Sequence, residues 1–270
     1  MPIELESPIN RITEKEFHEL DFRIMRIAFD IHNDLGRFYD EKIYQAELER
    51  RCSKAGIETT REFQIKLIHK DYTKPLFIDL LLNKGTVYEL KTMKSIVDPN
   101  RIQTLNYLYA TDTQHGKLMN FRPKSVEHEF VSTQLNHSKR RNIEVHDPAW
   151  AKTCYTEKLR HLVIDLLYDW GAFFDTDIYL DALCHFLGGK EKVLRKISIK
   201  SGDVTLGTQT IPLLTEDHAF CLTSVSKDIP AYKKHLARFL KHAQLEALHW
   251  VNLNRSSIGF TSLSNESFCP

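Results

Sequence analysis

Residues 76–91 read LFIDLLLNKGTVYELK. Two apolar stretches flank Asn83, Lys84 and Gly85, a short loop of the composition that closes hairpins. A turn centred on Lys84 makes paired positions sum to 168, which sets Asp79 opposite Glu89. Lys91 lies two residues on, so strand alternation returns it to the same face. Directly opposed residues have Cβ atoms roughly 4.5–5.5 Å apart, and like charges so placed destabilise a sheet. A hard divalent cation relieves that repulsion, because Mg²⁺ and Mn²⁺ favour carboxylate oxygens. The adjoining ammonium can then position or deprotonate a water, or offset charge building on a phosphate. Taken alone, the same three residues also fit a surface strand whose charges alternate in solvent. Their neighbours argue for a central hairpin. Leu76, Ile78, Leu80, Leu82, Tyr88 and Leu90 make the opposite face apolar, while Phe77, Leu81 and Val87 share the charged one. Partly buried acids without a task are uncommon.

Outward from the hairpin the pattern alternates helices and strands. Thr13 and Glu16 form a capping box, and Phe17, Leu20, Ile24, Ile27, Ala28, Ile31 and Leu35 follow at helical spacing up to Gly36. Asp40 caps a second helix, from about Glu41 to Ala55, which Gly56 stops. A strand over about 62–69 precedes the hairpin. Asp98 and Pro99 open a helix running to about Ala110, and two strands, about 117–121 and 126–132, complete an ααβββαββ unit. The polar stretch 135–149, with Asn136, Ser138, Asn142 and Pro148, reads as a linker.

The second half repeats the plan. Leu35, Gly36, Phe38, Tyr39, Asp40, Ile43 and Tyr44 line up with Trp170, Gly171, Phe173, Phe174, Asp175, Ile178 and Tyr179. Ile78, Leu80 and Leu81 line up with Ile211, Leu213 and Leu214, and Met119, Asn120 and Phe121 with Val251, Asn252 and Leu253. The separation stays close to 133 throughout, which predicts a tandem duplication of one α/β fold, residues 12–134 and 150–265.

Composition bounds the function more loosely. Hydrophobic residues are 42% and charged residues 27% of 270, the balance of an ordinary globular chain. Residues 1–150 carry 23 basic and 23 acidic side chains, and residues 151–270 carry 14 and 13, so any grip on a polyanion must come from local patches such as Lys139, Arg140 and Arg141. Cys52, Cys154, Cys184, Cys221 and Cys269 are scattered and odd in number, which argues against a disulfide framework and a zinc or iron–sulfur site. No apolar run has membrane-spanning length and the first ten residues lack a secretory pattern, so a cytoplasmic location is expected.

Residues about 12–134 resemble the PD-(D/E)xK nuclease superfamily, and within it the bacterial GxxExxY proteins. Ala28 to Gly36 resembles that group's first helix, and Glu41 with Tyr44 matches its E-x-x-Y. Asp79 followed by Glu89 and Lys91 matches the split catalytic motif, and Gln103 with Tyr107 matches the Q-x-x-x-Y element of RecB-like members. Phe38 stands where the group has glycine, and Ile78 where the motif has proline. The resemblance implies a restriction-endonuclease-like αβββαβ core around a central mixed sheet, and hydrolysis of phosphodiester bonds in nucleic acid, DNA foremost, with Mg²⁺ or Mn²⁺. It implies catalytic roles for Asp79, Glu89, Lys91, Gln103 and Tyr107, with Glu41 joining Asp79 and Glu89 around the metal. Three of these residues have plainer readings as well. Glu41 is also the first-turn acid a helix dipole favours. Gln103 and Tyr107, four apart on one helix face, also fit a polar face with a half-buried tyrosine.

At the repeat offset Asp79, Glu89, Lys91 and Glu41 meet Pro212, Leu222, Ser224 and Thr176, so the second copy is expected to keep packing without chemistry. Against the enzyme stands a non-catalytic nucleic-acid-binding or regulatory module that retains the fold, a reading motivated by the near-zero net charge and the decayed second copy.

Overall fold

The computed structural model describes residues 1–264 and divides into two compact units, Met1–Lys139 and Arg140 onward. Cys269 and the end of the second expected domain lie outside the described residues.

The first unit runs β1 (Ile3–Leu5), α1 (Glu14–Leu35), α2 (Glu41–Lys54), β2 (Thr59–His69), β3 (Tyr72–Leu82), β4 (Thr86–Lys91), α3 (Asp98–Thr111), β5 (His115–Asn120) and β6 (Glu127–Ser132). Its strands form one sheet in the order β1-β2-β3-β4-β5-β6. Every neighbouring pair is antiparallel except β4 and β5, whose parallel pairing is allowed by the crossover through α3. This is the mixed central sheet expected of the α/β class.

Thr13 and Glu16 start α1 with the reciprocal capping box, the Thr13 N–H and hydroxyl both 2.7 Å from the Glu16 carboxylate. The apolar stripe of α1, Phe17, Ile24, Ala28 and Ile31, is fully buried with Tyr44 and Leu48 of α2 against Leu80, Leu82, Tyr88 and Leu90 of the sheet. The β3–β4 turn has Asn83 and Lys84 in the left-handed region, at φ +47° and +54°. Leu82 pairs with Thr86, Leu81 with Val87 and Leu80 with Tyr88, each sum being 168.

Residues 135–149 are not a featureless linker. They hold a short helix, α4 (His137–Arg141), and a strand, β7 (Glu144–Ala149). Polar side chains and Pro148 obscure β7 in the sequence, and the structure uses it where proline is tolerated, as the edge of a sheet ordered β10-β11-β12-β7. β1 also escapes a reading by pattern, because three residues are too few to display alternation.

The second unit continues with α5 (Cys154–Trp170), α6 (Thr176–Phe186), α7 (Lys190–Val193), β8 (Leu194–Ser201), β9 (Val204–Pro212), β10 (His218–Thr223), α8 (Ile229–Ala243), β11 (Ala247–Asn254) and β12 (Ser257–Ser264). β8 and β9 form an antiparallel hairpin, β10 and β11 are parallel, and β11 and β12 antiparallel. A single antiparallel bridge, Leu213 to Ala219, joins the end of β9 to β10. No helix among the described residues is long and apolar enough to cross a membrane.

Candidate active site

Asp79 leaves the ladder where its register would meet Glu89. Its Oδ2 accepts the backbone N–H of Leu90 at 2.7 Å, so the side chain takes a donor the sheet would otherwise use. Asp79 is only 8% exposed, and burial pushes its carboxyl up to about 6, although the Leu90 N–H and Lys91 pull the other way.

Glu89 is fully buried. Its Oε1 accepts the Lys91 ammonium at 2.6 Å, while its Oε2, equally buried, has no hydrogen-bond partner. Burial first and the charge of Asp79 second hold its carboxyl well above the ordinary range. An unpartnered buried carboxylate oxygen beside a second buried acid is costly unless a proton or a cation meets it. Oxygen donors of this kind suit a hard divalent ion such as Mg²⁺ or Mn²⁺, and the residues present fit one.

Lys91 ends β4 with its Nζ 3.9 Å from Glu41 Oε1. Burial disfavours its charge, but Glu89, Asp79 and Glu41 outweigh that and hold the ammonium charged. Glu41 is the first residue of α2 and half-buried, its pKa raised by burial. Its ion-pair partner is thus Lys91. The oxygens of Glu41, Asp79 and Glu89 do not all fall within 4.8 Å of one another.

From α3, Gln103 Nε2 donates to the Tyr107 hydroxyl at 2.8 Å. Burial raises the Tyr107 pKa, and the charges of Glu89 and Asp79 raise it further, so the phenol shares their environment. The structure therefore gathers Asp79, Glu89, Lys91, Glu41, Gln103 and Tyr107 around one region of the sheet.

Glu62 joins them and was not anticipated. The β2–β3 pairs Arg61 to Leu80 and Phe63 to Ile78 place it across from Asp79. It stands at φ +53°, uncommon for a residue with a side chain, and its charge raises the pKa of Asp79, Glu41 and Tyr107. The available signal was the Lys70–Asp71 turn, which fixes the β2–β3 register.

Tyr44 has a different task. It is fully buried and donates its hydroxyl to the Gly36 carbonyl at 2.8 Å, closing the α1–α2 loop that presents Glu41. In the second unit Tyr179 donates to the Gly171 carbonyl at 2.5 Å, with the same eight-residue separation.

Elsewhere, Asp217, His218 and Glu246 of the second unit bring ligand-type atoms within 4.8 Å of one another.

Residues 18–133 match the family model of the PD-(D/E)XK nuclease superfamily. No curated protein matches the chain significantly. Among solved structures, the crystal structure of SSO0001 is similar at 20% identity and a TM-score of 0.29, over 46% of this chain and 61% of that one. The chain thus spans less than two thirds of that structure's length.

Proposed function

We propose that the first unit is a metal-dependent nuclease that hydrolyses phosphodiester bonds, with DNA the foremost substrate and Mg²⁺ or Mn²⁺ the cofactor. One observation carries the reading. Within the stretch matching a nuclease superfamily, Asp79 and Glu89 are buried side by side, with an unsatisfied Glu89 oxygen and an ammonium in contact. Sheets avoid opposed buried acids unless a cation uses them.

Asp79 and Glu89 would hold the ion, and Glu41 is near enough to Lys91 to act as an auxiliary acid from α2. The ion, when bound, lowers the pKa of a coordinated water and offsets charge on the phosphate. Lys91 is fixed as a cation by three acids, so it stabilises charge developing on the phosphoryl oxygens and orients the attacking water. A lysine held charged is a poor general base, which favours that role over deprotonation. Gln103 orients the Tyr107 hydroxyl, which faces the acids as a neutral donor at every physiological pH.

We also read the second unit as a decayed repeat of the first. The order of helices and strands agrees apart from the short α7 and a leading strand that joins β12, whereas β1 joins β2, and both units close the first helical loop with a tyrosine on a glycine carbonyl. The parallel pair Glu89–Leu118 recurs as Leu222–Val251 at an offset of 133. The bridge at Leu213 refines the sequence alignment: counting from it sets Thr210, not Pro212, across from Leu222. Thr210, Leu222 and Ser224 offer no carboxylate, so this unit is given a structural task.

The test is a cleavage screen over single-stranded, double-stranded and branched DNA and RNA with Mg²⁺ and Mn²⁺. Cleavage lost in Asp79→Asn, Glu89→Gln and Lys91→Ala supports the nuclease. Cleavage that persists in those variants, or failure of the wild type on all substrates, supports the non-catalytic module.

A further inference from the structure

We propose that the rim of this site binds single-stranded nucleic acid, an unpaired base resting on Phe38 and the strand's phosphates meeting cations on two turns beside Lys91. The inference rests on the nuclease reading of the same site and names the form of its substrate.

Three segments converge there. The α1–α2 loop contributes Arg37, Phe38 and Tyr39, two to four residues from Glu41. The turn after β4 contributes Lys94, and the turn after β5 contributes Arg122 and Lys124. These are stitched together. Arg122 donates to the carbonyls of Thr92, at 3.3 Å, and Tyr39, at 3.5 Å. Asn120 accepts the Met93 N–H and donates to its carbonyl, and His32 lies 3.0 Å from the Pro123 carbonyl. The loop is therefore anchored next to Lys91.

Charge and shape select the occupant. Residues 92–97 and 121–126 carry Lys94, Arg122 and Lys124 and no acid, and both lysines are exposed. In a unit with no excess of basic residues, a local run of cations at the ends of the two parallel strands is complementary to a polyanion. Phe38 is 77% exposed, with the Arg37 guanidinium 5.2 Å from its ring centroid. In the comparable loop of the second unit Phe173, the counterpart of Phe38, is half-buried, and Phe174, in the position of Tyr39, is 4% exposed with buried Arg140 over its ring at 4.4 Å. Ala172 replaces Arg37 there. A presented aromatic face next to cations serves bases that are free to stack, which a duplex withholds.

The test uses the full chain carrying Glu89→Gln, without divalent metal, and fluorescence anisotropy of labelled oligothymidine, oligouridine and duplex DNA, each about 15 nucleotides long, near the upper range of single-strand sites. Single strands should bind more tightly than duplex. Adding Phe38→Ala should weaken single-strand binding about tenfold, leave duplex binding unchanged, and be rescued by Phe38→Trp. Adding Lys94→Ala with Lys124→Ala should weaken both and reduce the single-strand slope of log affinity against log salt by about 1.4. Preference for duplex, or a folded Phe38→Ala chain with undiminished single-strand binding, overturns the proposal. The nuclease reading is judged separately, by wild-type cleavage with Mn²⁺. Binding that depends on Phe38 without cleavage sinks that reading alone.

Discussion

The Leu90 backbone N–H donates to Asp79 Oδ2 at 2.7 Å, in place of the ladder bond that β3 would otherwise supply. Asp79 therefore supports the fold as well as the site, and two substitutions separate these tasks. Compared at about pH 4, where the folded wild type keeps the Asp79 proton, Asp79→Asn keeps an acceptor for Leu90 and should cost little stability. Asp79→Ala leaves a buried N–H unmet and should cost about 1–3 kcal/mol. Both should lose nearly all cleavage. Urea denaturation without metal checks the difference, and equal stabilities would show that the bond is dispensable.

The buried acids also predict an inverted dependence on pH. The Asp79 carboxyl titrates at about 6 when folded against 3.8 as its ordinary value, so the folded chain retains a proton that the unfolded chain has released. Its contribution is fully present below about pH 4 and is lost as pH rises through about 6. That rise of about two units corresponds to about 3 kcal/mol. Glu89 acts in the same direction. Relative to metal-free wild type, Asp79→Asn should thus gain stability between pH 4 and 7, and saturating Mn²⁺ should abolish the gain. A gap that stays constant over that range contradicts the assignment.

Much of this site follows from the sequence for one physical reason. A three-residue loop fixes the register of its hairpin, and alternation fixes which side chains share a face, so Asp79, Glu89 and Lys91 were legible together. Glu62 was not, because its position depends on a second hairpin and on a left-handed backbone that no pattern announces. β7 was hidden by Pro148 and by its edge position, where only one side is paired. On the repeat reading, Thr210 rather than Pro212 takes the place of Asp79, because the connection from β9 to β10 is two residues longer than the β3–β4 turn.

Tyr44 and Tyr179 offer a paired test of the repeat. Each hydroxyl holds the carbonyl of a glycine eight residues earlier, Gly36 or Gly171. Tyr44→Phe and Tyr179→Phe should each cost about 1 kcal/mol. Only Tyr44→Phe should also lower cleavage, since its loop carries Glu41. Chemical denaturation and initial rates measure the two effects. An equal loss of activity in Tyr179→Phe would give the second unit a part in catalysis.

Lys91 and a divalent ion are rivals for one oxygen. The ammonium holds Glu89 Oε1 at 2.6 Å and stands 3.9 Å from Glu41, so it occupies the acids in the absence of metal. Removing it concentrates negative charge with nothing but a cation to relieve it. Lys91→Ala should therefore bind Mn²⁺ more tightly than wild type, by about tenfold if the displaced ion pair is worth about 1.4 kcal/mol, and yet cleave at no more than a trace rate. The same variant without metal should be less stable above neutral pH, where Glu89 loses the counter-charge bonded to it. Calorimetric titration with Mn²⁺, run with Glu89→Gln as the variant expected to bind weakly, reads both signs. A Lys91→Ala chain that binds Mn²⁺ less well than wild type would mean that the lysine organises the acids for metal, and that its role in the cleavage step cannot be separated from binding.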